Sequence, residues 1–525
     1  MATTDKGTFT VKVPQGTRDW SGKDIIIRDK IISSMVEVFK RHGAVTIDTP
    51  IFELLNPTIS GQDASPICKL ADQGGELAAL RYSLRDSLTR WLALRGVQSA
   101  KIYQVGKEYR RVADGLSRNI AEERMKCHFS VVGASDGLLA EAEMLRVAME
   151  VLDGLKLGAY SIKINHSLIL RGLLEVCQVP ERLWQGLAKA VNNISKTSWD
   201  EVYLDMTSNL ELGEAIADKL GGYISKTGGR HLLYDLLLDE GLTKNVSFSK
   251  GINEMKNFFD FLEIFGVMPK IAFDLSLTRP DFLDMGLMYE VVTLPLSIKS
   301  AGTTIDSMEI ASGGGYYKWS GYLYKTTFPI TGIEFELEDI FKIIQARVPA
   351  DQVRETEVDA YVIAVGGDFL MERMRVCRRL WDAGIKVEFL YKEVSEPTCQ
   401  FAVVLNEEGT KQGKVKIKEV SNLHRRGLDV DIDSVGLVLA EMIKESKEGA
   451  SSKDGAKTEE ERDGDGNFRE RVNRVRAHGG TVEMEGVNVE MDFAKIKVKD
   501  AEIEFEGAKF DIKKVKIEIR GSKEK

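Results

Sequence analysis

The spacing of apolar residues predicts a core of helices and strands near the start of the chain. The first helix has an apolar side formed by Ile25, Ile26, Ile31, Ile32, Met35, Val36 and Phe39. A polar, arginine-containing stretch from Arg110 to Arg124 is predicted to be a loop between two strands. The predicted elements are helices over 21–42 and 80–95 and strands at Lys101–Val105 and Cys127–Val132.

Changes in this pattern divide the chain into six segments. Strand patterns return after a mainly helical stretch, and a helix from Leu337 to Arg347 closes the core. The polar stretch after Glu445 is rich in Glu, Lys, Gly, Ser and Asp, which is typical of a solvated linker. The segments are 1–165 and 266–350, two parts of one core; 166–265, a helical insertion; 357–445, a small α/β domain; 446–466, the linker; and 467–525, a β-rich module.

The last two folded segments differ in their periodicity. In 357–445 a short buried strand at Ala360–Val365 precedes an amphipathic helix from Phe369 to Ala383, and further strands follow. Strands that alternate with helices favour an α/β domain. In 467–525 apolar and polar residues alternate almost throughout, with breaks at Gly486, Asp500 and Gly507. This alternation predicts a β-meander or a short solenoid.

Composition narrows the class of protein. The chain has 525 residues, 43% hydrophobic and 29% charged, with a net charge of -9, which is ordinary for a soluble globular protein. It has no global basic field, so any nucleic-acid contact must depend on local patches. Five scattered cysteines without a C-x-x-C pair suit a reducing compartment and give no metal-ligand spacing. We therefore expect a cytoplasmic protein with no structural metal and no membrane partner.

Specific blocks of sequence then indicate a family. In chain order they are VPQGTRDW at 13–20, VTIDTPIFEL at 45–54, DQGGEL at 72–77, LRY at 80–82, YQVGKEYRR at 103–111, FDLSLTR at 273–279, YEVVT at 289–293 and LWDAGIK at 380–386. Together they resemble the eukaryotic histidyl-tRNA synthetases, which are class II aminoacyl-tRNA synthetases. The similarity covers roughly residues 10–445 in collinear order and leaves out the β-rich terminal segment.

The resemblance implies an α+β fold with an antiparallel class II sheet flanked by helices, a helical insertion and a small anticodon-binding-like domain. It also implies a homodimer, through the helix and strand of motif 1. The family makes histidyl-adenylate from ATP and charges tRNA, a chemistry of positioning and electrostatics. ATP with Mg is therefore expected as a cofactor only if activity is retained, and tRNA is a candidate partner.

Three residues match the family's ATP site. Arg110 corresponds to the motif 2 arginine that holds the α-phosphate and the amino-acid carboxylate, and Arg279 to a second arginine facing the same phosphate. Glu123 matches the motif 2 acid near the adenine. They are interpreted either as a surviving anion pocket with catalytic remnants or as structural ion pairs, and both interpretations stay open.

Other positions depart from the ATP site. Asp339 stands where the motif 3 arginine grips the γ-phosphate, which reverses the sign of that interaction. Glu336 replaces a glycine and adds another negative charge. Arg124 replaces the phenylalanine that stacks on adenine, although an arginine can also stack.

The pocket that recognises histidine departs further. Ser83 and Arg85 replace the Asp and Thr that handle the amino group of the substrate. Leu283 and Asp284 lie in the segment that lines the imidazole, and a predicted turn at 313–317 is also changed. Polar complementarity sets specificity at such positions. In the strand after motif 2, three polar positions are now Lys126, His128 and Ser130.

The anticodon-binding-like domain is also shortened. After residue 396 the chain reaches the strand at Phe401–Leu405 almost at once, where the family has a further helix. The preceding helix carries Arg373, Arg375, Arg378 and Arg379. A solvated helix face is the preferred interpretation of these arginines, ahead of a nucleic-acid patch.

Three hypotheses for the function follow. The favoured one is a dimeric regulatory or scaffold protein that does not activate histidine and binds tRNA, a small ligand or a protein partner. The second is a ligase that adenylates a carboxylic or amino acid other than histidine. The third is a divergent, active histidyl-tRNA synthetase.

Overall fold

The computed structural model describes most of the chain up to residue 452. The described residues are 12–55, 67–70, 77–113, 119–133, 136–192, 194, 197–298, 303–316, 329–347, 358–367, 369–389, 399–420, 427–452 and six short strands between 480 and 521. They form two compact units, Met1–Glu441 and Met442–Lys525. Residues 72–76 of the DQGGEL block, Tyr317 and residues 453–466 of the predicted linker lie outside the described residues.

A nine-stranded mixed sheet forms the core of the first unit. Its spatial order is β1-β4-β5-β13-β12-β9-β6-β8-β7. Two neighbouring pairs, β1 with β4 and β6 with β8, are parallel, and the other pairs are antiparallel. The α+β class with a class II sheet is therefore confirmed. The strands are β1 Val45–Thr46, β4 Ala100–Ala113, β5 Asn119–Val132, β6 Tyr160–His166, β7 Thr227–Gly228, β8 Ile271–Asp274, β9 Leu287–Thr293, β12 Glu309–Gly315 and β13 Ile330–Glu336.

Two small hairpins lie outside this sheet. Strands β2 (Phe52–Leu54) and β3 (Ala78–Leu80) pair antiparallel, as do β10 (Leu296–Ile298) and β11 (Thr303–Ile305). Strand β3 ends shortly before the helix at Leu84–Arg95 begins.

The two faces of the large sheet differ because strand side chains alternate. One face is apolar and carries Cys127, Phe129, Ile333, Phe335 and Tyr289, which belong to one buried cluster. Helices α1 (Gly22–Arg41), α3 (Leu139–Gly154), α10 (Val246–Ile264) and α11 (Leu337–Arg347) contribute to the same cluster. The opposite face is polar, and helix α2 (Leu84–Arg95) contributes the residues at its N-terminal end to the buried groups near that face.

A helical segment is inserted between β6 and β8. Its side chains form most of a second buried cluster, which includes Leu170, Trp184, Leu187 and Leu220. The glycine-rich stretch around Gly228 contains β7, which pairs with β8 and so ties the insertion to the sheet. The helices are α4 Ser167–Val176, α5 Trp184–Asn192, α6 Trp199–Leu204, α7 Glu214–Ile224, α8 Arg230–Leu237, α9 Glu240–Thr243 and α10 Val246–Ile264.

Two predictions about local structure were wrong. The stretch from Arg110 to Arg124 lies largely in strands, because β4 continues to Ala113 and pairs antiparallel with β5, which begins at Asn119; residues 114–118 lie outside the described residues. The predicted turn at 313–317 instead begins within β12, which runs through Gly315 between β9 and β13. Polar residues and glycines lowered the strand signal at both places, but cross-strand pairing outweighs intrinsic propensity in a central sheet.

The smaller domain has a five-stranded sheet in the order β15-β14-β16-β17-β18. Helix α14 continues to Ser452, so residues 446–452 are helical although they were predicted to be linker. The elements are β14 Ala360–Val365, α12 Leu370–Asp382, β15 Val387–Phe389, β16 Phe401–Asn406, α13 Glu407–Lys411, β17 Lys414–Glu419, β18 Leu428–Asp431 and α14 Val435–Ser452.

The end of the chain contains two three-stranded sheets, β20-β19-β24 and β21-β22-β23. In each sheet the adjacent strands pair antiparallel, and the breaks in alternation at Gly486, Asp500 and Gly507 fall between strands, outside the described residues. Within the described part of the chain, no helix has the length and apolar character needed to cross a membrane. The strands are β19 Gly480–Met484, β20 Val487–Val489, β21 Val498–Lys499, β22 Glu502–Phe505, β23 Ala508–Asp511 and β24 Glu518–Gly521.

The close packing of β12 against β13 leads to a stability prediction. A methyl group at Gly313 would overlap the carbonyl oxygen of Gly332 and lie 2.6 Å from Cε2 of Tyr289. Gly313→Ala is therefore expected to lower the free energy of unfolding by about 1–3 kcal/mol or more, as measured by urea denaturation. Gly222→Ala is the control, since nothing lies within 4 Å of the added methyl group. Equal stability of the two variants would show that β12 can move away from β13.

Candidate active site

The polar face of the sheet brings together many of the residues singled out in the sequence. Because β4, β5 and β13 pair in register, their alternate residues form adjacent rows on this face. The row on β5 faces acids on β13 and further polar residues on β4. The rows are Gln104, Gly106, Glu108 and Arg110 on β4; Glu122, Arg124, Lys126, His128 and Ser130 on β5; and Gly332, Glu334 and Glu336 on β13.

Direct cross-strand pairs join β5 to β13. His128 is the register partner of Glu334, and its Nδ1 lies 3.1 Å from Oε1 of that carboxylate. Lys126 is the register partner of Glu336 and forms an ion pair with it. Nε2 of His128 also forms a hydrogen bond with the hydroxyl of Ser130. Three of the predicted substrate-pocket residues therefore share one buried network, whose acids come from β13.

Arg124 extends this network to helix α11. It lies 3.1 Å from Glu122, 3.6 Å from Glu336 and 3.5 Å from Asp339. Lys342 lies 2.8 Å from the other oxygen of Asp339. The arginine in place of an aromatic residue and the aspartate in place of an arginine therefore interact with each other. Two substitutions that look unrelated in the sequence form an ion pair in the structure.

Glu108 is a buried acid at the centre of the β4 row. Its carboxylate accepts a hydrogen bond from the backbone N–H of Leu84 at 2.8 Å. It also lies 3.1 Å from Arg110 and 4.0 Å from Lys126. Burial, with the nearby charge of Glu334, raises the pKa of Glu108 to about 7. This carboxyl group is therefore protonated in part of the molecules at neutral pH.

Glu334 has the opposite behaviour. Burial raises its pKa, but the hydrogen bond and charge of His128, together with Lys126 and Arg85, outweigh burial and lower the pKa overall. Two carboxyl groups on one face thus differ in protonation because their partners differ. Of these two carboxyl groups, Glu334 is the one that carries most of the negative charge.

Helix α2 brings two further predicted residues to the site. Ser83 is the N-cap of the helix, and its hydroxyl accepts a hydrogen bond from the N–H of Arg85 at 3.1 Å. The guanidinium of Arg85 lies 4.4 Å from the ring centroid of Tyr316. Its charge interacts with Tyr316 and Asp86 and, more weakly, with Glu334 and Asp281. Arg85 therefore interacts both with an acid of β13 and with the segment that follows Arg279.

The two remnant arginines are less completely paired than the β5 cations. Arg110 contacts Glu108 and lies with its guanidinium 4.8 Å from the ring centroid of Tyr82. Arg279 has its ion pair with Glu309 at 3.8 Å. The Nε–H groups of both arginines are buried without a hydrogen-bond partner among the described residues. Thr278 has a buried hydroxyl in the same condition.

Three predicted site residues lie apart from this network. Glu123 is opposite Tyr109 in the β4–β5 hairpin, so alternation places it on the other side from Arg110 and Arg124. Its carboxylate lies 2.7 Å from Lys107. Leu283 and Asp284 belong to a short helical turn, Phe282–Asp284, in which Phe282 is buried and Leu283 is exposed. The structure therefore does not bring Glu123 together with the other ATP-site candidates.

Cys127 and His128 are adjacent in β5 and, because strand side chains alternate, point to opposite faces. Cys127 is buried in the apolar cluster, and burial raises the pKa of its thiol to about 12. His128 lies on the polar face with Glu334. The two side chains therefore do not form a catalytic dyad.

Comparisons with known proteins agree with this architecture. A family model described as histidyl-tRNA synthetase matches residues 16–340. The chain is 34% identical over 434 residues to the mitochondrial histidine–tRNA ligase of Bos taurus, covering 80% of this chain and 86% of that one. It is 33% identical over 459 residues to the histidine–tRNA ligase of Danio rerio, covering 82% and 89%. The chain belongs to the histidyl-tRNA synthetase family.

Solved structures show the same fold. Histidyl-tRNA synthetase from Nostoc sp. PCC 7120 matches with a TM-score of 0.69 and 20% identity, over 84% of this chain and 100% of that one. A protein from Bacillus halodurans C, described as an ATP phosphoribosyltransferase regulatory subunit/histidyl-tRNA synthetase, matches with a TM-score of 0.61 and 18% identity, over 76% and 98%. The class II core of the histidyl-tRNA synthetase family is thus present in this chain.

The residues of this family member fit a triphosphate poorly at one end of the site. Glu336 and Asp339 place negative charge there, and Arg124 is already occupied by them. Among the described residues, no group of three or more His, Cys, Asp or Glu side chains is arranged to hold a metal ion. No step through ATP and Mg follows from this arrangement.

Sequence reasoning missed two important acids, Glu108 and Glu334. Both belong to the histidyl-tRNA synthetase core, and each lies in a strand with a second charged residue two positions further on. Glu108 is two residues before Arg110, and Glu334 is two residues before Glu336. This period of two was a signal that all four side chains face the same way.

The raised pKa of Glu108 predicts a pH-dependent stability. Because the folded protein holds this proton more tightly than the unfolded chain, the stabilisation is complete below the ordinary pKa of about 4.5 and is lost as pH rises through about 7. Glu108→Gln keeps an acceptor for the Leu84 N–H and removes the charge. The variant should resemble the parent protein at pH 5 and exceed it in unfolding free energy at pH 8 by roughly 1–3 kcal/mol.

Urea denaturation at the two pH values measures this difference. Glu37→Gln is the matched control, because Glu37 is an exposed acid on α1 whose pair with Arg41 lies on the surface. If Glu108→Gln is destabilised equally at both pH values, the ionised carboxylate is needed in the folded state and the prediction is wrong.

Proposed function

We propose that this member of the histidyl-tRNA synthetase family does not activate histidine and acts as a dimeric regulatory or scaffold protein. The observation that supports this most strongly is the row of cross-strand pairs between β5 and β13, in which Lys126 forms an ion pair with Glu336 and His128 contacts Glu334. These pairs occupy the polar face with groups that satisfy one another. A binding function towards tRNA, a small ligand or a protein partner needs the fold but not this site.

The free-energy cost of placing a substrate in this site favours the loss of catalysis over a simple change of affinity. A bound substrate would have to separate Lys126 from Glu336 or His128 from Glu334, and both pairs are largely buried. Breaking a buried pair by removing one partner typically costs about 3–5 kcal/mol. A triphosphate near Glu336 and Asp339 would meet like charges as well. Both effects oppose the binding on which adenylation depends.

A ligase for a different acid is the second candidate. Its support is the set of buried donors without partners, namely the Nε–H groups of Arg110 and Arg279 and the hydroxyl of Thr278. Unsatisfied buried donors are costly, and an anionic ligand could accept from them. An active histidyl-tRNA synthetase is the third candidate, supported by the names of the relatives. ATP with Mg would be the cofactor of either enzyme.

Pyrophosphate exchange tests the loss of activity. The parent protein is expected to show no histidine-dependent exchange, and Asp339→Arg should fail as well, because it leaves the changes at Ser83 and Arg85 in place. Restoring one contact of the oxyanion type is worth roughly a hundredfold to a thousandfold in rate, and it does not repair a second, separate defect.

Three controls make the exchange assay decisive. The Danio rerio ligase serves as the active reference, and Asp339→Asn separates the removal of a charge from its reversal. Robust exchange with histidine in the parent protein contradicts the proposal. Exchange with another amino acid supports the second candidate instead.

The homodimer is also part of this proposal. Apolar residues on and near β1 and β2 are exposed in the single chain, with Phe52 exposed by 63%. Val45 and Leu54 are likewise exposed. Large exposed apolar patches mark interfaces, and a two-fold axis would bury this patch against its copy. Cytoplasmic location stays a prediction from the sequence.

Substitution at this surface tests the dimer. Light scattering should report a dimer for the parent protein and a shift towards monomer for Phe52→Asp, because a charge at the centre of an apolar interface is left unpaired. Leu238→Asp is the control, as Leu238 is exposed on the helical insertion. A monomeric parent protein at micromolar concentration would rule out the dimer.

A further inference from the structure

Helix α12 of the small domain has one exposed face of unusual composition. With 3.6 residues per turn, five of its exposed residues fall within an arc of roughly 120°, while Val376, Cys377 and Leu380 are buried on the other side. We name this exposed face the α12 stripe. It consists of Met371, Met374, Arg375, Arg378 and Trp381.

Trp381 is exposed yet held in position. Half of its surface is accessible, but its indole N–H donates a hydrogen bond to the carbonyl oxygen of Val387 at 3.0 Å. Its ring lies 6.4 Å, centroid to centroid, from that of Phe389. A fixed aromatic side chain loses little conformational entropy on binding. Tryptophan and arginine are also the residues that most often dominate the energy of protein interfaces.

The stripe is basic within an acidic chain. Helix α12 carries four arginines and two acids, a net charge of +2, whereas the whole chain carries -9. Arg375 lies 3.3 Å from Glu372, and Arg378 lies 3.6 Å from Asp382. Exposed pairs on one helix contribute little stability. Both arginines can therefore exchange these neighbours for the acids of a partner.

The residue composition of the α12 stripe favours one class of binding partner over others. A second copy of the chain would bring two basic stripes together, which like charges oppose. Single-stranded RNA binds through several stacking aromatic residues, whereas the stripe has one tryptophan and two methionines. Surfaces rich in methionine and tryptophan instead bind the apolar face of a helix.

We propose that the α12 stripe binds an acidic amphipathic helix of a protein partner. The apolar side chains of that helix pack on Met371, Met374 and Trp381. Its acidic side chains pair with Arg375 and Arg378. This surface lies in the small domain, outside the polar face of the large sheet. It binds its partner whether or not the active site retains chemistry.

A labelled synthetic peptide tests the proposal on the full chain. The peptide has leucines at helical i, i+3, i+4 and i+7 spacing and glutamates elsewhere, and fluorescence anisotropy measures its binding. Met374→Glu and Arg378→Glu should each weaken binding by about tenfold or more, and added salt should weaken it further. Leu437→Glu is the control, because Leu437 is an exposed apolar residue on α14 of the same domain.

Several outcomes would overturn the proposal. One is equal binding by the parent protein and both stripe variants. Another is preference for the same peptide with lysine in place of glutamate. A third is binding of a single-stranded RNA, but not of the peptide, that depends on Arg378. A change of oligomeric state in Met374→Glu would instead assign the stripe to contacts between copies.

Discussion

The cross-strand pairing of β5 with β13 joins His128 to Glu334 and Lys126 to Glu336 on the polar face of the large sheet. Each pair is built from register partners, so one hydrogen-bonded ladder sets both the backbone alignment and the charge alignment. A buried charge without its partner is costly. Each acid of this face therefore needs its partner on the facing strand, and a change on one strand requires a matching change on the other.

The same dependence links more distant parts of the chain. Arg124 on β5 meets Asp339 on α11, and Arg85 at the start of α2 interacts with Glu334. Glu108 accepts from the N–H of Leu84 and so connects the strand to the first turn of α2. These polar groups therefore form one continuous network of interactions with one another. This is the physical basis for proposing that the family's fold is kept here for binding and not for histidine activation.

The apolar face explains why the fold tolerates such a change. Phe39, Phe129, Phe335 and Tyr289 are fully buried against helices on the side of the sheet away from the charges. Burial of apolar surface supplies most of the favourable free energy of folding, and it does not depend on what the polar face carries. The site could therefore diverge while the core stayed intact, since alternation in each strand separates the two functions.

The sequence by itself determined the family, the helix at Leu337–Arg347 and the opposite orientation of Cys127 and His128. These follow from local periodicity and collinear motifs, which need no knowledge of long-range contacts. Only the tertiary structure decided that Arg110 lies in β4 and Arg124 in β5, and that Glu123 faces away from both. It also decided that Arg124 meets Asp339, because residues so far apart in the chain are brought together by sheet register and helix packing. No pattern within a single segment carries that information.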